Sequence, residues 1–175
     1  MRFTNRVEFT IRQSLTEDED AAVLSRLMHE SVHGVGVRGY SAEELAAWSP
    51  SPRDPESARE RFAGQHIWLA EDVDGPCAFM TLKGSGYLDF AYALPRAAGR
   101  GAASAIYAAL ESWARANKLA TLTSDISLVA RPFFEKRGWR VLRQQDNDVR
   151  GVNLVNFRME KHLEPPLPRS GPADS

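Results

Sequence analysis

Three strand-like segments follow one another between residues 66 and 94, and the connections between them are too short to hold a helix. HIWLAED (66–72), CAFMTLKG (77–84) and YLDFAYAL (87–94) are rich in apolar and aromatic residues, and the connections DVDGP and GSG are typical of hairpins. A parallel strand pair needs a crossover of about a dozen residues or more. These segments therefore predict an antiparallel meander and exclude βαβ units at this point.

The flanking sequence alternates between helix and strand signals. A strand at 7–15 precedes a helix whose apolar residues lie at 24, 27, 28, 32 and 35, opened by a capping box of Thr16 and Glu19. A second box, Ser41 and Glu44, opens another short helix. The remaining predictions are helical turns at 55–64, a helix at about 101–117, a strand at 119–125, a short helix at 129–137, and strands at 139–146 and 152–161. This order predicts an α/β (α+β) fold with a mixed, mostly antiparallel central sheet flanked by helices.

The chain is expected to form one domain. Its 175 residues are a usual length for a single hydrophobic core, and neither a repeat nor an interior linker interrupts 7–163. Residues 1–6 are expected to be a ragged start. The Pro-rich, polar segment 164–175 is expected to stay disordered because it has too little apolar surface to bury.

Composition argues against several classes of protein. With 22 Lys+Arg against 23 Asp+Glu, the chain offers no basic excess for nucleic acid or an acidic membrane. Cys77 is the single cysteine, which excludes an intrachain disulfide or a multi-cysteine zinc site, and neither His66 nor His162 has a partner in the sequence, so no metal is expected. No apolar run reaches the roughly 18 residues that span a bilayer, and MRFTNRVEFT lacks a signal-peptide core. A cytoplasmic location is expected.

PRAAGRGAAS (95–104) lies where a strand leads into a helix, which favours phosphate binding. The first N–H groups of a helix have no intrahelical partner, and the helix dipole attracts an anion there. Gly99 and Gly101 allow positive φ and close approach of a ligand to the backbone. The other interpretation is a plain strand–helix turn.

Two phosphate-binding motifs compete for this turn. A Walker loop is excluded because no Gly-Lys-Ser/Thr follows. Gly99-x-Gly101-x-x-Ser104 is close to a dinucleotide-binding fingerprint, with Asp125 ending the next strand where a ribose-binding acid would lie. That fold requires a parallel βαβ run, which the meander excludes. An NAD(H)-dependent oxidoreductase therefore stays a weaker alternative.

Three segments in order resemble the GNAT N-acetyltransferase superfamily. YALPRAAGRGAAS (92–104) is similar to its strand-end, Pro and R/Q-x-x-G-x-G/A loop, and SLVARPFFEKRGW (127–139) is similar to its N-x-x-A-x-x-F-Y-E-K-x-G-F segment. The closing strand pair ends in NFRMEK (156–161). The resemblance implies an acetyl-CoA-dependent N-acetyltransferase, in which a primary amine attacks the thioester directly in a ternary complex. Small amines, amino acids, aminoglycosides, peptides and protein N-termini stay open as acceptors, and a homodimer is possible by the same resemblance.

The resemblance also implies which residues bind the cofactor. The backbone at 91–93 would diverge from the next strand and pair with the pantetheine arm. Three positions depart from the family pattern: Ala98 replaces Arg or Gln, Ser127 replaces Asn, and Phe134 replaces the Tyr that often protonates departing CoA. For the first of these a second register is open, since Arg96-x-x-Gly99-x-Gly101 also spells the motif, two residues early relative to Pro95. The full set is Ala91, Tyr92, Ala93, Ala98, Gly99, Arg100, Gly101, Ala102, Ala103, Ser104, Ser127 and Phe134. The substituted positions keep a non-catalytic acyl-CoA-binding or sensing module as the alternative function.

Amide formation needs a proton acceptor, because an amine with a pKa near 10.4 is charged at neutral pH. Asp89 is the predicted base by resemblance to the strand-four carboxylate of the family, and the alternative is a structural Asp. Strict alternation would place Tyr87, Asp89, Ala91 and Ala93 on one face and Leu88, Phe90 and Tyr92 on the other. Weaker candidates are His33 as base, Tyr40, Tyr87 or Tyr92 as acid, Asp125 as a pocket residue, Trp48 with Tyr40 as acceptor wall, and Arg131 and Arg137 as phosphate ligands.

Overall fold

The computed structural model describes residues 9–15 and 18–163, in which seven strands form one sheet in the order β1-β2-β3-β4-β5-β7-β6. The strands are β1 Thr10–Leu15, β2 His66–Asp72, β3 Gly75–Leu82, β4 Tyr87–Ala93, β5 Thr121–Ser127, β6 Arg140–Val149 and β7 Val152–His162. The helices are α1 Asp18–Val35, α2 Ala42–Trp48, α3 Pro55–Phe62, α4 Ala102–Ala116 and α5 Arg131–Glu135, with a 3₁₀ turn at Gly36–Arg38.

The predicted meander and mixed sheet are confirmed. Strands β2, β3 and β4 pair antiparallel in sequence order, and β4 with β5 is the parallel pair. The predicted capping box at the start of α2 forms in both directions: Glu44 N–H donates to Ser41 Oγ (3.2 Å), and Ser41 N–H donates to Glu44 Oε2 (2.6 Å). The box at Thr16, and the terminal segments 1–6 and 164–175, lie outside the described residues.

Helices cover both faces of the sheet. On one face α4 buries Ile106 and Leu110 against Met80 and Leu122. On the other face α1 and α3 pack around aromatic residues of the meander in a cluster that contains Leu24, Phe62, Phe79 and Phe90. The sheet therefore lies between two apolar layers. A ligand can reach its centre only where two strands separate.

Strands β4 and β5 separate soon after they meet. Their parallel ladder has two residue pairs, Tyr87–Thr123 and Leu88–Ser124, and the Ser124 hydroxyl donates to the Leu88 carbonyl (2.6 Å). Both strands continue beyond these pairs without a recorded pairing to one another. The unpaired stretches leave a gap in the middle of the sheet.

The alternation predicted for β4 is wrong because the strand bulges at Asp89. Leu88 pairs with Leu82, but the next β3 residue, Thr81, pairs with Phe90, so Asp89 is an extra residue in the ladder. The bulge shifts the register. Leu88 packs in the same cluster as Ala91 and Ala93, facing α4, whereas Phe90 and Tyr92 pack on the α1 and α3 side.

Among the described residues, no helix is long and apolar enough to cross a membrane. The same ranges contain no group of three or more His, Cys, Asp or Glu residues placed to hold a metal ion.

Candidate active site

A mainly apolar cleft of about 230 Å³ runs from the region of the α4 N-terminus to the gap between β4 and β5. Eight of the residues predicted to bind a cofactor line it: Ala91, Tyr92, Ala93, Ala98, Gly99, Ala103, Ser127 and Phe134. The other four, Arg100, Gly101, Ala102 and Ser104, lie in the adjoining turn and the first turn of α4 but are not part of this lining.

A smaller pocket of about 50 Å³ continues the cleft at the point where the two strands part. Asp89 and Asp125 line this pocket, together with Leu88, Ser124 and Ile126. The cleft and the pocket share Trp48, Ala91, Tyr92, Ser127, Ala130 and Phe134. These shared residues form the junction between the apolar cleft and the small pocket, which contains the two carboxylates.

The α4 end of the cleft is suited to an anion. Gly101 is the N-cap residue at φ 98°, and no side chain caps the helix. A Cβ built on Gly99 (φ 73°) or Gly101 would meet nothing within 4 Å, so glycine serves the backbone conformation and the space around it is open. The uncapped first-turn N–H groups are therefore exposed to an incoming ligand.

One cation lies beside these N–H groups. Arg137 donates from Nη2 to Ser104 Oγ (2.7 Å) and its guanidinium lies 3.5 Å from the centre of the Phe133 ring. Arg131, the other arginine considered for phosphate binding, pairs with Glu135 (2.7 Å) and lies over Phe157 instead. Of these two arginines, Arg137 is therefore the one that contacts the first turn of α4.

Ser31 of α1 contacts the open edge of β4. Its Oγ donates to the Ala93 carbonyl (2.8 Å) and accepts from the Ala93 N–H (3.2 Å). Leu94 N–H donates to Cys77 O on the β3 side, so Ala93 directs its backbone groups away from β3. Because strand residues alternate in this respect, Ala91 directs its own N–H and C=O to the same open edge.

Phe134 has a buried ring and carries no proton for chemistry. It is 1% exposed and contacts Tyr107, Phe133 and Trp139 edge-on. The Trp139 indole N–H donates to the Tyr107 hydroxyl (2.7 Å), and that hydroxyl also has a hydrogen-bond interaction with Glu111. The residue that replaces the family's tyrosine is therefore part of a packed aromatic wall of the cleft.

Asp89 is held by three partners rather than presented as a vacant base. Arg61 donates to both carboxylate oxygens (2.6 and 2.9 Å), Gln65 donates a third bond (2.8 Å), and Lys83 Nζ lies 3.4 Å away. Burial alone would raise the pKa of Asp89, but Arg61, Gln65 and Lys83 together bring the pKa below its ordinary value. This geometry conflicts with the expectation that Asp89 is the proton acceptor, although the residue does line the small pocket.

The second carboxylate of the pocket is also paired. Asp125 lies 2.8 Å from Arg158 Nε and accepts from Gln145 (2.7 Å) and from the Tyr87 hydroxyl (2.9 Å). Burial, and then the bond to Asp125, raise the pKa of Tyr87 to about 12. The Tyr87 hydroxyl therefore donates its proton to Asp125, and Tyr87 lines neither the cleft nor the small pocket.

Of the remaining candidates Tyr40, Trp48 and His33, only Trp48 lines the cleft. The Tyr40 hydroxyl donates to Val155 O (2.7 Å) and accepts from Leu128 N–H (2.9 Å), so it has a structural role. Its ring meets Trp48 edge-on at 5.3 Å, and of these two aromatics Trp48 lines the cleft. His33 Nε2 lies 2.8 Å from Ser49 O and is not part of the lining.

The end of α1 and the 3₁₀ turn also line the cleft, and sequence reasoning named none of the five residues involved: Ser31, Val32, Val35, Gly36 and Arg38. No motif in this segment indicates that role. The nearest signal is Gly34, where a Cβ would lie 2.5 Å from Pro95 Cγ. A glycine there lets α1 pack directly on Pro95, two residues after the end of β4.

The chain belongs to the GNAT acetyltransferases. The model of the acetyltransferase (GNAT) domain matches residues 37–161. The chain is 31% identical over 120 residues to the N-acetyltransferase YafP of Escherichia coli (strain K12), an alignment that covers 69% of this chain and 75% of that protein. The predicted family and the predicted enzyme class, an N-acetyltransferase, are thereby confirmed.

Solved structures show the same fold. A GCN5-related N-acetyltransferase from Rhodopseudomonas palustris superposes with a TM-score of 0.80 at 32% identity, over 88% of this chain and 95% of that chain. YncA from Salmonella typhimurium, a structure with its cofactor acetyl-CoA, gives a TM-score of 0.65 at 16% identity, over 94% of this chain and 99% of that chain. At 16% identity, the comparison with YncA supports the fold alone.

We expect Asp89→Asn to lower the free energy of unfolding by about 2–3 kcal/mol at neutral pH, because the variant leaves Arg61 without its anionic partner. A carboxyl whose folded-state pKa is lowered stabilises the fold above its unfolded pKa, so the difference from the parent protein shrinks as pH falls below about 4. Denaturant unfolding at several pH values measures this.

Asp72→Asn is the matched control, because Asp72 pairs with Arg96 at nearly the same exposures, 8% and 35%, as Asp89 with Arg61, 6% and 36%. Equal stability losses would support a structural Asp89. A stable Asp89→Asn protein that loses turnover while Asp72→Asn keeps it would restore the role of base.

Proposed function

We propose that this enzyme binds acetyl-CoA in the cleft and transfers the acetyl group to a primary amine that attacks the thioester directly in a ternary complex. The observation that carries the proposal is the continuous path from the uncapped start of α4, along the open edge of β4, to the small pocket between the separated strands. The start of α4, the open edge of β4 and the small pocket follow one another in the same order as the pyrophosphate, the pantetheine arm and the thioester of acetyl-CoA.

At the phosphate end, backbone N–H groups carry most of the binding. The proposed ligand-binding positions are Ala98, Gly99, Arg100, Gly101, Ala102, Ala103 and Ser104. Arg137 adds a positive charge at Ser104. Backbone donors do not depend on side-chain identity, which explains why Ala98 in place of Arg or Gln is compatible with the site.

Along the middle of the cleft, the open edge of β4 offers an amide-pairing surface. The proposed residues are Ala91, Tyr92 and Ala93 on this strand, with Ser127 and Phe134 on the opposite wall. Unpaired N–H and C=O groups inside a protein are costly, so a ligand with its own amides gains by pairing there. The Ser31 hydroxyl satisfies Ala93 in the absence of such a ligand.

When bound, acetyl-CoA supplies a thioester with an electrophilic carbonyl carbon. In this proposal the backbone N–H groups of the β4 edge donate to the carbonyl oxygen as negative charge develops on it. The Phe134 ring and the apolar walls exclude water from the junction, which strengthens those hydrogen bonds. Asp89 is proposed to anchor Arg61 and the bulge instead of accepting a proton.

The paired state of both carboxylates favours a particular kind of acceptor. Losing a proton from an alkylamine with a pKa near 10.4 costs about 4–5 kcal/mol at pH 7 without a base, whereas an α-amino group with a pKa near 8 costs about 1–2 kcal/mol. We therefore propose an α-amino group, or another amine with a pKa near 8, as the acceptor. Its proton leaves to water.

Calorimetric titration with acetyl-CoA and with NADH in one buffer tests the cofactor. We expect binding of acetyl-CoA in the micromolar range and none of NADH. Gly101→Ala is expected to weaken acetyl-CoA binding about tenfold, because a side chain at φ 98° strains the turn that presents the first N–H groups of α4.

Gly151→Ala is the matched control for that titration. Gly151 has φ 78°, its added Cβ also meets nothing within 4 Å, and it lies in the β6–β7 turn outside the cleft lining. Unchanged binding in Gly151→Ala is expected. Binding of NADH in place of acetyl-CoA would favour an oxidoreductase, and tight acetyl-CoA binding without turnover on any amine would favour a sensing module.

A panel of primary amines tests the acceptor class, with thiol release as the readout. Amines with a pKa near 8 are expected to react faster at pH 7 than alkylamines with a pKa above 10, by up to about a hundredfold at equal concentration. Rates with the alkylamines should rise about tenfold per pH unit below their pKa. Rates independent of amine pKa would indicate a general base that this account lacks.

A further inference from the structure

The junction between the cleft and the small pocket contains a hydroxyl group whose proton has no recorded acceptor in the described ranges. Hydroxyls that line the cleft or the pocket are those of Ser31, Tyr92, Ser124 and Ser127. Ser31 donates to Ala93 O and Ser124 donates to Leu88 O. Tyr92 and Ser127 are left with protons to donate.

Tyr92 is the stronger donor of the two. A phenol is a better acid than an aliphatic alcohol, and its hydroxyl lies at the end of a longer side chain. Ser127 Oγ accepts from Ala130 N–H (3.1 Å), which ties it to the turn before α5. The Tyr92 ring is fixed between Trp48 (6.2 Å between centroids) and Phe79 (5.8 Å), so its hydroxyl has a defined position.

We propose that the Tyr92 hydroxyl donates a hydrogen bond to the sulfur of CoA as the thiolate leaves, taking the place of the tyrosine that Phe134 replaces. This proposal rests on acetyl-CoA binding as argued above. Tyr92 lines both the cleft and the small pocket, and the junction of the two is where the thioester of an extended pantetheine arm would end.

The step balances without another reactant. The amine nitrogen forms a bond to the carbonyl carbon, the C–S bond breaks, and its electron pair goes to sulfur. The nitrogen loses one proton to water, and the thiolate is stabilised by the Tyr92 O–H before it takes a proton from solvent. A thiol pKa near 8.5 makes this departure about 2 kcal/mol uphill at pH 7, so one charge-assisted hydrogen bond is enough assistance.

The surroundings keep Tyr92 protonated. Burial raises the pKa of Tyr92 well above its ordinary value, an effect that a hydrogen-bond interaction with Trp48 opposes. The charged and titratable groups that act on it are Asp89, Arg61 and Tyr40. Asp125 also lines the small pocket. A hydroxyl that keeps its proton throughout the working pH range can serve as a constant donor.

The ultraviolet absorbance of the thiolate in the protein–CoA complex tests the proposal without an acceptor amine. We titrate the complex between about pH 6 and pH 11 and compare the bound thiol with free CoA, whose thiol pKa is near 8.5. The bound thiol is expected to have a pKa about one unit lower. Tyr92→Phe, which keeps the ring, is expected to raise it again by about one unit, a tenfold change in ionisation.

Two control variants assign the effect to Tyr92. Tyr40→Phe removes the hydroxyl of another ring that packs against Trp48, but that hydroxyl donates to Val155 O, so the variant should leave the thiol pKa unchanged. Ser127→Ala should do the same. A bound thiol in the parent protein with the pKa of free CoA would overturn the proposal even if Tyr92→Phe does not fold. So would a shift in Ser127→Ala instead of Tyr92→Phe, whereas failure of CoA to bind the parent protein would overturn the proposed function.

Discussion

The separation of β4 from β5 is the constraint on which the rest of the site depends. A sheet normally satisfies its backbone N–H and C=O groups by pairing, and unpaired groups at the centre of a fold are costly. Here the parallel ladder ends after two residue pairs, so the edge of β4 needs other partners. Ser31 of α1 forms hydrogen bonds with the backbone of Ala93, and the edge of β4 at Ala91 lines the cleft. The acetyl-CoA site we propose uses an opening that the fold itself creates.

The charges around this opening are paired in ways that limit what they can do. A carboxylate in a partly buried position is stable when a guanidinium neutralises it. Asp89 with Arg61, and Asp125 with Arg158, follow this rule at the walls of the small pocket. The pocket can therefore be polar without holding a vacant base. In our proposal, backbone donors and the Tyr92 hydroxyl contribute to catalysis, and the ionisation of the acceptor amine contributes to specificity.

The features of the fold that depend on neighbouring residues were predicted correctly from the sequence. The two short connections within 66–94 predicted the antiparallel meander, and Ser41 with Glu44 predicted the start of α2, because hairpins and caps depend on neighbouring residues. The register of β4 was missed, since a bulge at Asp89 breaks the period of two and the pattern YLDFAYA gives no sign of it. The pairing of Asp89 with Arg61 could not be predicted for a related reason: Arg61 lies 28 residues away on α3. The position of Ser31 at the cleft likewise depends on how α1 packs, which no local pattern fixes, whereas Trp48 was among the residues considered for a pocket wall.

An amide titration by NMR tests the central claim most directly. In uniformly ¹⁵N-labelled protein, addition of acetyl-CoA is predicted to shift the N–H resonances of Ala91 and Ala93 and those of Gly101 to Ser104, and to slow their exchange with solvent. The N–H resonance of Gly151, in the β6–β7 turn outside the lining of the cleft and of the small pocket, should stay in place. Shifts confined to residues outside the cleft, or an unchanged spectrum at saturating acetyl-CoA, would contradict the account.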